Sequence, residues 1–293
     1  MATVRGYVLT FFVVTYIVTW SAWFAAGMTP AAGPRGLLHL LGTFAPGFVA
    51  LWLTGRATGR SGVAALLRRL IDWQVPARWY VFAVSYIAVV KVIVALVHRA
   101  TTNAWPRFGD VPWYLMLAAT LGSTLVGGQA GEEIGWRGYA LPRLASRFGL
   151  GGGSVLLGVL WAVWHLPLFF VPEADTSGQS FPIYLLQVTA LSVAMAWLYA
   201  NTRGSLLPVM LMHAAVNNTK DIVPSAEPNA TNPWALSHSL VAWLTVAVLS
   251  LCAGYFLLRM RKIPQLAREA AQSVATYASG NVSGRRPHTG TLP

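Results

Sequence analysis

Eight long apolar runs, at roughly 6–27, 37–55, 79–98, 112–135, 153–171, 182–200, 205–219 and 238–259, cover most of this chain, and none shows strand-like alternation. The hydrocarbon core of a bilayer is about 30 Å thick and a helix rises 1.5 Å per residue, so about 20 apolar residues span it. Within hydrocarbon every backbone polar group must be satisfied internally, which a helix does alone. Composition agrees: 55% of residues are hydrophobic and 10% charged, against about 25% charged in soluble domains. The chain therefore reads as all-α, a polytopic transmembrane bundle of about eight spans. One helical domain is expected over 1–263. The polar tail 264–293, rich in Gly, Ser, Arg, Thr and Pro, is expected to be a disordered cytoplasmic extension.

The net charge is +12, and its distribution sets an orientation. Arg56, Arg60, Arg68, Arg69 and Arg78 lie between the second and third spans, Arg143 and Arg147 after the fourth, Arg203 after the sixth, and Arg259, Arg261, Lys262 and Arg268 after the eighth. The intervening loops carry Glu173, Asp175, Asp221 and Glu227. Basic residues collect on the cytoplasmic side, so a multi-pass protein of the cytoplasmic membrane with both termini cytoplasmic is expected. Nucleic acid is not an expected partner, because no basic patch is interleaved with aromatics; membrane lipids are. The segment Arg60–Trp79 reads as an amphipathic helix on the membrane surface. Trp20, Trp23 and Trp52 read as interfacial aromatics, and His39 and His238 as interfacial histidines. Lys91 stands alone in the third span, placed either to snorkel or to face a cavity. The single cysteine, Cys252, excludes an intrachain disulfide and a cysteine-built zinc site.

Against this background two adjacent carboxylates in the fourth run, Glu132 and Glu133, are conspicuous. An ionisable residue in hydrocarbon is costly and marks function by default. Gly127, Gly131 and Gly135 recur at intervals of four and make a smooth stripe for a neighbouring helix. Glu133 and Arg137, also four apart, are placed to pair. Glu132 is rotated about 100° away on a helix, has no partner in its own turn by this reading, and is placed to act as a general base. In the fifth span Trp161 and His165 share a face, and Pro167 weakens the helix beyond them. In the seventh, His213 and Asn217 share a face with only alanines and a valine between. Both can donate to a developing oxyanion.

Each patch has a bland counterpart: an ordering ion-pair network, a packed histidine, an interhelical hydrogen bond. Together they point to a hydrolytic site inside the bilayer, with a proteolytically silent scaffold or immunity or maturation factor, and a proton-coupled transporter, as the competing readings. The absence of an inverted repeat weighs against the transporter.

The three patches, Glu132-Glu133-x-x-x-Arg137, Trp161-x-x-x-His165 and His213-x-x-x-Asn217, resemble the CPBP family of intramembrane proteases, which includes the CAAX prenyl endopeptidases and was also called Abi. The match covers about residues 112–219, with tryptophan at 161 where the family has phenylalanine. The resemblance implies peptide-bond hydrolysis by activated water. Glu132 would be the general base assisted by His165, His213 and Asn217 would hold the oxyanion, and Glu133, Arg137 and Trp161 would support the site. A peptide or lipidated protein is the implied substrate, admitted through a cavity open to the cytoplasm. A metal-independent mechanism is favoured; the zinc alternative would use Glu132, His165 and His213.

Overall fold

The computed structural model describes residues 2–30, 33–171, 174, 176–224 and 232–261. The tail 264–293 and the acidic residues Glu173, Asp175 and Glu227 lie outside them. Among the described residues all regular structure is helical: α1 (Ala2–Met28), α2 (Arg35–Arg68), α3 (Ala77–Thr102), α4 (Trp113–Val126), α5 (Gly128–Glu133), a π segment (Ile134–Ala140), α6 (Leu141–Trp164), α7 (Phe181–Asn201), α8 (Leu207–Thr219) and α9 (Leu240–Met260).

The surface is inverted relative to a soluble protein. On α1, Leu9, Val13 and Ile17, four apart, are exposed, while Thr15 and Thr19 are fully buried. Apolar residues face outwards at spacings that only a lipid surroundings makes favourable.

Among the described residues six helical stretches are long and apolar enough to cross a membrane: Tyr7–Met28, Arg35–Arg68, Ala77–Thr102, Gly128–Trp164, Phe181–Asn201 and Leu240–Met260, the fourth of them holding two helices that meet at Gly149. The fourth run does not continue unbroken through 135, because Gly127 is extended (φ −77°, ψ 175°) and separates α4 from α5. Helix resumes at Gly128 and is broken again at Gly149, where φ is +70° and ψ 165°. The chain folds back there, since Trp161 Nε1 reaches Glu132 Oε2 at 2.8 Å from 29 residues further on, so the two expected runs are separate helices joined at a positive-φ glycine. With 14 and 13 residues, α4 and α8 rise only about 20 Å each. The seventh run is accordingly a partial span.

The expected surface helix Arg60–Trp79 is shorter. Gly59 (φ 68°) breaks α2, the helical piece ends at Arg68, and α3 already begins at Ala77. Leu66 is buried, in the space that a Cβ on Gly138 would enter. Trp23 is not interfacial either: it is 1% exposed, stacks beside Trp164 at 4.5 Å, and donates Nε1 to the His39 carbonyl. His39 lies flat against Trp23, with ring centroids 5.7 Å apart. Trp52 is exposed as expected.

The bundle packs α1 on α2, α2 on α5, α3 and α4 on α8, α6 on α7, and α7 on α9. At one end the α2–α3 and α7–α8 connections are tied together: Leu206 N–H donates to the Arg69 carbonyl, Ser205 Oγ to that of Asp72, and Arg69 to the Tyr199 hydroxyl. At the other end Phe181 N–H donates to the Pro233 carbonyl and Ser180 Oγ to that of Ala235. The arginine-rich connections occupy the first end.

Candidate active site

Glu132 and Glu133 are the last residues of α5, immediately before the π segment. The glycine stripe lets this backbone lie against α2. A Cβ on Gly131 would sit 2.9 Å from Phe44 Cα, and one on Gly135 would sit 2.8 Å from the Pro46 carbonyl. Gly127 does not share this contact; its neighbours are Ser123 and Gln129, at the break itself. π segments widen a helix by one residue per turn and recur at functional sites.

The two carboxylates diverge as their rotation predicts. Glu132 lines a cavity of about 810 Å³, whereas Glu133 is absent from its wall and wholly buried. Glu132 Oε2 accepts from Trp161 Nε1 at 2.8 Å and from Trp136 Nε1 at 3.4 Å. It therefore does have a partner in its own turn, Trp136 at i+4, which sequence reasoning missed because indole was read only as an apolar ring. Oε1 is left facing the space around Gly128, 4.0 Å from where a Cβ there would stand.

Glu133 Oε1 accepts from Arg137 Nη1 at 2.8 Å and pairs with His213 Nδ1 at 2.8 Å. Arg137 also lies 4.5 Å above the Trp161 ring. Its Nε and Nη2, like Glu133 Oε2, have no hydrogen-bond partner among the described residues. This buried cluster spans α5, the π segment, α6 and α8, and locks the helices that carry the site.

His165 caps the end of α6, where Pro167 follows in a short 3₁₀ turn. Its Nδ1 is 2.8 Å from the Trp161 carbonyl. A carbonyl and a carboxylate only accept, so the Nδ1 atoms of His165 and His213 both carry hydrogen. Nε2 is left in each ring as the nitrogen available to a ligand, an acceptor when the ring is neutral. Both rings line the cavity. Asn217 lines it too, at an exposed position one turn beyond His213. Asn218 turns away and donates to Ser123 Oγ and the Ala214 carbonyl.

The structure thus brings Glu132, Trp161, His165, His213 and Asn217 to one cavity, with Glu133 and Arg137 behind them. Lys91, Gln129 and His39 also line it. Apolar lining comes from Ile87, Leu168, Val188, Leu191 and Leu249. A chamber of this size, mostly apolar with a few convergent polar groups, is what a ligand site requires.

Among the described residues no three His, Cys, Asp or Glu side chains gather closely enough to hold a metal ion. In Glu132, His165 and His213 the atoms left over are Oε1 and the two Nε2, and they are not gathered as a metal-holding group.

The lining also takes in Arg35 and Gly36 at the start of α2, Ala174, Thr176 and Gln179 before α7, and Lys220 and Pro224 after α8.

A family model, "Type II CAAX prenyl endopeptidase Rce1-like", matches residues 111–219, the segment that carries Glu132, Glu133, Arg137, Trp161, His165, His213 and Asn217. A similar protein is "CAAX prenyl protease 2" of Methanococcus maripaludis, 23% identical over 238 residues, which are 74% of this chain and 83% of the relative.

Proposed function

Because residues 111–219 match the Rce1-like type II CAAX prenyl endopeptidase model, we propose that this multi-pass protein is an intramembrane endopeptidase. It hydrolyses a peptide bond of a membrane-associated protein or peptide by Glu132-activated water. The observation that carries this reading is the convergence of Glu132, His165, His213 and Asn217 on one largely apolar cavity.

Two indole N–H groups fix Glu132 Oε2 and orient the carboxylate, so Oε1 takes the proton of a water attacking the scissile carbonyl. His165, with Nδ1 held on Trp161, accepts from the same water through Nε2. The tetrahedral oxyanion receives the Asn217 amide and, in its imidazolium form, His213 Nε2–H. Glu133 supports that form by accepting from Nδ1. Glu132 then delivers its proton to the departing amine, and the products are a carboxylic acid and an amine. The apolar wall suits aliphatic side chains or a lipid anchor.

The test is cleavage of membrane-anchored reporter peptides, a farnesylated Cys-a-a-X peptide among them, by purified protein in lipid, beside Glu132→Ala. Cleavage by the parent alone is expected. Equal cleavage by the variant, with both proteins folded, would remove Glu132 from the chemistry.

A further inference from the structure

The connection between α2 and α3 takes no part in the proposed reaction and lies outside the matched segment 111–219. After Arg68 the chain curls through residues 69–76 before α3 begins at Ala77. Leu66 is buried, whereas Leu67 is 38% exposed, Ile71 65% and Trp73 71%. Three exposed apolar side chains within one short stretch are costly in water. They are favourable at the boundary between headgroups and acyl chains, where tryptophan concentrates. The depth agrees: Val81, one turn into α3, is 66% exposed, so lipid-facing surface begins just beyond this connection.

The curl forms an open hollow of about 320 Å³, lined by Arg68, Arg69, Ile71, Asp72, Trp73 and Gln74. Its backbone is held by neighbouring elements. Leu206 N–H donates to the Arg69 carbonyl, Ser205 Oγ to that of Asp72, the Tyr80 hydroxyl to that of Trp73 and Arg203 Nη2 to that of Gln74. The hollow is therefore preorganised, which lowers the ordering cost of binding. Asp72 Oδ1 accepts from the Gln74 N–H at 3.3 Å. Arg69 donates to the neutral Tyr199 hydroxyl and so keeps its charge, and Arg68 is exposed. The lining thus carries two guanidiniums against one carboxylate. By sequence the neighbouring segments have the same sign: 56–78 holds Arg56, Arg60, Arg68, Arg69 and Arg78 against Asp72, and the tail holds Lys262, Arg268, Arg285 and Arg286 against Glu269.

We propose that this hollow binds the headgroup phosphate of an anionic phospholipid, with Arg68 as its main donor and Ile71 and Trp73 against the acyl chains. A guanidinium matches a phosphate through paired N–H groups, and a basic cluster beside a membrane span attracts anionic headgroups. A soluble phosphate would meet the same donors but bring nothing apolar for Ile71 and Trp73. The site is independent of the peptidase reading.

The experiment titrates the full chain in micelles with short-chain phosphatidylglycerol, short-chain phosphatidylcholine and inorganic phosphate, and reads bound lipid by native mass spectrometry. The parent should bind phosphatidylglycerol saturably and at least about tenfold more tightly than phosphatidylcholine, since a hydrogen bond to a charged group is worth a factor of roughly 10 to 150. Arg68→Gln should lose most of that preference. Arg68→Lys, which keeps the charge but not the paired geometry, should lose part of it. Arg147→Gln removes an exposed arginine outside the hollow and should weaken binding by no more than about fivefold, the share of general surface attraction. Trp73→Ala should weaken both lipids and leave the preference between them. Equal losses in Arg68→Gln and Arg147→Gln, or no preference in the parent, would overturn the proposal. Displacement of phosphatidylglycerol by an equal concentration of inorganic phosphate would show a site for a soluble anion instead and overturn the lipid assignment. Should Arg68→Gln not fold, Arg68→Lys beside Arg147→Lys carries the same comparison.

Discussion

The tightest contact behind the site is between α2 and α5, and it can be loaded by one methyl group. A Cβ on Gly47 would stand 2.7 Å from the Gly131 carbonyl oxygen and 3.1 Å from Gly131 Cα. Both are backbone atoms of the helix whose next residue is Glu132, so no side chain can swing aside. Restoring an ordinary 3.4 Å contact requires the two helices to separate by about 0.7 Å. Overpacking of this kind costs about 1–3 kcal/mol. Displacing a reacting group by about 1 Å costs about 100-fold in rate, so a shift of this size should cost at least about tenfold. Gly47→Ala is therefore expected to lower the unfolding midpoint in mixed micelles and to slow reporter cleavage by tenfold or more. Gly122→Ala and Gly254→Ala serve as controls, since a Cβ at either meets nothing within 4 Å; each should change stability by at most about 1 kcal/mol and leave turnover alone. If Gly47→Ala matches those controls in both assays, close backbone packing is not what positions Glu132.

Three further outcomes follow from the same geometry. Trp161→Phe removes the 2.8 Å donor to Glu132 while keeping an aromatic beneath Arg137, and it should lower kcat more than it raises KM; an unchanged kcat would show that the indole does not orient the base. Arg137→Met leaves Glu133 buried with only His213, which should cost about 3–5 kcal/mol, and adding Glu133→Gln should recover part of that loss; strict additivity in the double-mutant cycle would refute the coupling drawn from the 2.8 Å pair. Extensive dialysis against a strong chelator should leave cleavage unchanged, because among the described residues no three His, Cys, Asp or Glu side chains gather to hold a metal ion; activity lost and then restored by stoichiometric zinc would show that the site binds metal.

The apolar runs alone decided that this chain is helical and multi-pass, because hydrocarbon leaves the backbone few other ways to satisfy its polar groups. The costly polar residues inside those runs, Glu132, Glu133, Arg137, His165, His213 and Asn217, were legible for the same reason, and helical rotation separated the two carboxylates correctly. Spacing within a helix also gave the Glu133–Arg137 pair. What the chain could not disclose locally are contacts between elements far apart in sequence. That His213 rests on Glu133, 80 residues away, and that Trp161 and Trp136 both hold Glu132, depend on how helices pack. So does the break at Gly127, which splits the fourth run into α4 and α5. His39, Trp23 and Lys91 were ambiguous because a residue near or within a span can face lipid or cavity at the same position in the chain. Only the rotation of each helix against its neighbours separates those cases, and packing sets that rotation.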